Sequence, residues 1–147
     1  MPPAIAQFWN KLNANEKLVM YGAILAVVAF LVGAVGSAGY FGSGSGDLIA
    51  AIIVTAIYWL KYSPNKINWP APVQTIVLVV TGIAAIFALL GLLTWLGFLG
   101  FGLYGIALLV NAIGCGIMVY GAWKEYQAMP KTAPPSTPTP PPAPPAA

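Results

Sequence analysis

Apolar positions along this chain come in long unbroken blocks, not in alternation. Residues 18–46 and 48–60 carry no charge, and neither does any position from 67 to 123. As one helix the last block would reach roughly 85 Å, nearly three times a hydrocarbon core of about 30 Å, so it must fold back and supply two crossings. The pattern therefore predicts an all-α, integral membrane four-helix bundle, with spans at about 18–38, 47–62, 73–93 and 103–123 inside a transmembrane domain covering 18–123. The second span is the shortest. Its apolar part, Leu48 to Leu60, covers only about 20 Å as a helix, so Tyr58, Trp59, Lys61 and Tyr62 are expected to anchor it at the interface, with Lys61 snorkelling outward.

The flanks follow other rules. In residues 1–17, Ile5, Phe8, Trp9 and Leu12 recur at i, i+3, i+4 and i+7, which predicts a short amphipathic helix lying in the membrane interface, with Pro2 and Pro3 in its first turn. Asn13-Ala14-Asn15-Glu16 reads as a capping signal for the next helix, and Asp47 is placed to cap the second span. A Gly/Ser-rich stretch at 39–46, a Pro-rich loop around Pro64, Pro70 and Pro72, and a glycine-and-aromatic turn at 94–102 separate the spans. Residues 124–147 form a Pro-rich tail expected to stay disordered. Pro135, Pro138, Pro141 and Pro144 fall on one edge of a polyproline helix, so the tail is either a solvated spacer or a ridge for a docking partner.

Charge adds an orientation. Of 147 residues 59% are hydrophobic and 6% charged, and mean hydropathy is +0.83, which excludes a water-soluble globule. All six cations are lysines: Lys11 and Lys17 before the first span, Lys61 and Lys66 between the second and third, Lys124 and Lys131 after the fourth. They share one side, so the positive-inside rule predicts two hairpins with both termini cytoplasmic, N-in and C-in. The net charge of +3 is scattered and forms no basic stripe, so nucleic acid is not an expected partner. The expected partners are the lipid bilayer and other membrane subunits, or a second copy of the chain.

The chemical inventory is thin. With no His, one Cys and three acids, no cofactor, metal or catalytic site is expected. Cys115, mid-span between Gly114 and Gly116, reads as an inert structural thiol, and no acid or base falls inside the uncharged blocks of the predicted spans, Asp47 and Lys61 standing only at the two ends of the second. Small-xxx-small pairs are more informative. They make Gly22, Ala26, Gly33, Ser37, Ala112 and Gly116 candidate helix-packing positions, with Asn111 as polar glue. Trp9, Trp59, Trp69, Trp95 and Trp123 are candidate interfacial anchors. Upstream lysines and Gly36-Ser37-Ala38 give the first span some likeness to a signal peptide, but its length favours a retained anchor.

The expected function is that of a non-catalytic structural or accessory membrane protein, acting as a homo-oligomer or as a subunit of a larger complex. The rival expectation is a passive channel or binder of a small or apolar ligand, with a path lined by Asn111, Thr55, Thr81 and Tyr104. An enzyme is not expected. The architecture resembles that of small four-span bacterial membrane proteins that pair a bundle with a low-complexity tail. That likeness implies a bacterial inner or plasma membrane, and no function carries over from it.

Overall fold

A computed structural model describes residues 2–36, 45–64, 67–98 and 102–130. Ser37, Lys66 and residues 131–147 of the Pro-rich tail lie outside these residues, as does the side chain of Trp95. The described chain is all helical: α1 (Pro3–Lys11), α2 (Ala14–Gly36), α3 (Ser45–Lys61), α4 (Val73–Phe98) and α5 (Leu103–Gln127). Three of these, α2, α4 and α5, are long and apolar enough to cross a membrane.

Local chemistry explains the helix boundaries. Pro3 sits in the first turn of α1, where its missing N–H is not needed, and the amides of Ile5 and Ala6 donate to Pro2 O. The junction to α2 is a reciprocal capping box. The Asn13 amide donates to Glu16 Oε2 at 2.9 Å, and the Glu16 amide donates back to Asn13 Oδ1 at 2.9 Å. This box starts α2 at Ala14, so the helix takes in Lys17 and the residues before the uncharged block. At the other end, α5 runs to Gln127, and the first residues after Trp123 are helical.

The helices are arranged in a ring: α2 lies against α5 and α3, and α4 also lies against α5 and α3. The α2/α5 seam is the most extensive and is built on glycine. A Cβ at Gly22 would collide with Gly114 O and stand 2.6 Å from Met118 Cγ; one at Gly121 would stand 2.9 Å from Asn15 O. Backbones in lipid associate through such close approach, because lipid supplies no hydrophobic drive between helices. Around the seam, Val19, Ala26, Val54, Val77, Cys115 and Met118 are buried, and Phe8 of α1 and Leu12 just after it join this core. Outward faces are apolar, with Ile83, Phe87, Leu90, Ile106 and Ile113 all exposed.

Helix α3 is the exception to the spanning pattern. Its 17 residues extend about 26 Å. Its N-terminus lies partway along its neighbours: a Cβ at Gly46 would stand 4.0 Å from the Phe87 ring, and Asp47 bonds Asn111. From those levels, α4 continues for roughly 16 Å and α5 for about 12 Å beyond the start of α3. The short apolar block from Leu48 to Leu60 thus gives a short helix with a buried beginning.

Candidate functional site

Two polar clusters occupy opposite ends of α3. The first gathers the start of α2 and the ends of α3 and α5. Glu16, fully buried, accepts hydrogen bonds on Oε2 from its own capping partner Asn13 and from the Tyr62 hydroxyl at 2.6 Å. Its Oε1 pairs with Lys61 Nζ at 2.5 Å. The Asn13 side-chain amide spans to both oxygens of Glu125 at 3.0 and 3.1 Å, and Lys61 lies 3.9 Å from the same carboxylate. Five side chains therefore tie three helices. A buried carboxylate is tolerated when paired and hydrogen-bonded in this way. The Tyr58 hydroxyl is buried beside this cluster with no hydrogen-bond partner.

The second cluster crosses the ring from α3 to α5. Asn111 Nδ2 donates to Asp47 Oδ2, and Cys115, buried one turn further along α5, lies near the same carboxylate. Asp47 is 1% exposed, and its Oδ1 has no partner. The carboxylate also sits in the first turn of α3, where the helix dipole favours negative charge. Among the described residues, no group of three or more His, Cys, Asp or Glu gathers to hold a metal.

The candidate packing residues divide between inside and outside. Gly22 and Ala26 are buried in the α2/α5 seam, and Gly33 faces Ala107 of α5 at 3.5 Å from its would-be Cβ. Asn111 is buried on Asp47 and Ala112 is half-buried, whereas Gly116 is exposed with open space where a Cβ would stand. Of the tryptophans, Trp9 packs edge-on to Tyr21 at 5.2 Å and Trp59 lies 5.2 Å from Phe8. Trp69 is half-buried, and Trp123 stacks on Tyr126 at 6.0 Å.

The candidate path residues are engaged in separate places. Thr55 donates to Ala51 O at 2.7 Å and Thr81 to Val77 O at 2.9 Å, each closing a bond within its own helix. Asn111 is spent on Asp47, and Tyr104 is half-buried near the start of α5.

Two features escape a reading of the sequence by segments. Lys61, expected to snorkel outward, turns in to Glu16. Asp47, expected at an interface as a cap, is buried against α5. The available signal was spacing: Asn111 and Cys115, four apart, share a helical face, the one that meets Asp47. No family model, no curated protein and no solved structure matches this chain.

Proposed function

We propose that this protein is a non-catalytic accessory or structural membrane protein, a four-span bundle in which the chain crosses a fourth time through α3. Both termini and the lysine-bearing end then face the cytoplasm, with α1 at that interface. The observation that carries the reading is where the polar groups go. Asn13, Glu16, Lys61, Tyr62 and Glu125 bond one another across helices, and Asp47 bonds Asn111, so all three acids of the chain are engaged in holding helices together. The exposed Gly116 leaves a notch between Ile113 and Tyr120 on the outer face of α5, a shape that another helix can enter.

The experiment is the mass of the intact particle in native lipid nanodiscs, together with the identity of whatever co-purifies. The reading predicts either a multiple of 15.3 kDa or a larger mixed particle. A lone monomer without partners contradicts it. A second reading, a channel or small-ligand binder, draws support from the unpartnered Asp47 Oδ1 and Tyr58 hydroxyl. It predicts that Asn111→Leu abolishes flux and leaves assembly unchanged.

A further inference from the structure

Two cavities flank one tryptophan. Between α2 and α3 runs an apolar groove of about 630 Å³, floored by Ala23 and Ala51 and walled by Ile24, Ile52, Ala56 and Trp59. Thr55 also lines it, but its hydroxyl is already bonded to Ala51 O. On the other side of Trp59, between α1 and the end of α3, lies a niche of about 210 Å³ whose lining includes Gln7, Lys11, Tyr62 and Ser63. Ala4, Gln7, Phe8 and Lys11 form one face of α1, and Phe8 against Trp59 fixes that face to α3.

The combination is amphipathic in a defined order. The groove is almost wholly apolar, while the niche offers an exposed ammonium, an amide and a hydroxyl, with no carboxylate in its lining. Among the described residues Lys11 makes no ion pair, whereas Lys61 is held by Glu16. An open apolar groove along two contacting helices accepts a hydrocarbon chain, and the unpaired ammonium near one end of it is the charge complement of a lipid phosphate, which a purely apolar helix would leave unmatched. The niche lies at the end where α2 starts and α3 stops, the position of a phosphate layer if those helices cross the membrane.

We infer that niche and groove form one binding site for an anionic phospholipid, with its phosphate at Lys11 and Ser63 and an acyl chain along Ala51 and Ala56. Trp59 separates headgroup from chain. The inference concerns a ligand of the bundle and stands apart from the accessory role, because particle mass reports assembly independently.

The test is native mass spectrometry of the full chain released from nanodiscs of equal phosphatidylglycerol and phosphatidylcholine. The expected result is retained phosphatidylglycerol at one per chain, preferred about fivefold, the scale of one lysine acting on an anionic lipid. Lys11→Glu should remove the preference and leave phosphatidylcholine retention unchanged. Ala56→Phe, which fills the groove from an exposed position, should lower retention of both lipids about tenfold. Ile52→Trp serves the same purpose should the first variant fail to fold. Equal retention of the two lipids by the wild-type chain overturns the inference, as does a preference that survives Lys11→Glu. Displacement by millimolar inorganic phosphate would show that the niche reads a free anion, and would also overturn it.

Discussion

At the scale of single residues, the pairing of Asp47 with Asn111 makes a non-additive prediction. Asn111→Leu takes the amide donor from a buried carboxylate and should destabilise the fold by about 2 kcal/mol, within the range for a hydrogen bond to a charged group. Asp47→Leu combined with Asn111→Leu removes both partners and should recover most of that loss, because an apolar pair in a lipid-surrounded core needs no partner. Thermal unfolding in a fixed detergent measures both, and a double variant less stable than the single one contradicts the assignment. The amide itself was legible in the sequence as a group that needs a partner at depth. Its partner was not, since Asp47 lies 64 positions away and precedes a short apolar block that gives no sign of how deep its helix starts.

At the scale of elements, glycine positions separate the interior of the bundle from its outside. Gly22→Ala places a Cβ 2.7 Å from Met118 N, a backbone atom that cannot yield without moving α5. Overpacking of this kind costs about 1–3 kcal/mol. Gly116→Ala meets nothing, and should be neutral or stabilise the isolated chain by up to roughly 1 kcal/mol through helix propensity. Melting temperatures of the two variants in detergent decide it, and equal losses would contradict the seam described here.

Small-xxx-small spacing identified Gly22 and Ala26, which lie inside the seam, and also Gly116, which faces out. Spacing marks a thin helix on every side that carries glycine. Which side meets a neighbour depends on helix rotation, and the hydropathy of a uniformly apolar helix does not encode it. The helix starts were more readable. Asn13 and Glu16 carry their own geometry, three residues apart, and form the predicted capping box.

At the scale of the whole molecule, the all-helical class and three long apolar spans were legible from the uncharged blocks, because a backbone in lipid has no alternative to satisfying itself within helices. The role of α3 was not legible to the same degree. A 17-residue helix with a buried start is shorter than the hydrocarbon thickness, and the bond that seats that start comes from Asn111 on another helix. Lys61, Glu16 and Glu125 then fix its far end to the lysine-bearing side. The central claim is therefore that the chain changes sides through α3.

Its most direct test is labelling of single cysteines introduced at Ser43, Asn68 and Ser136 with a membrane-impermeant maleimide in intact cells, with buried Cys115 of the parent chain as the blank. The account predicts that Ser43→Cys is labelled from outside, and that Asn68→Cys and Ser136→Cys react only after the membrane is opened. Ser43→Cys and Asn68→Cys labelling from the same side would show that α3 does not cross, and would contradict the four-span account.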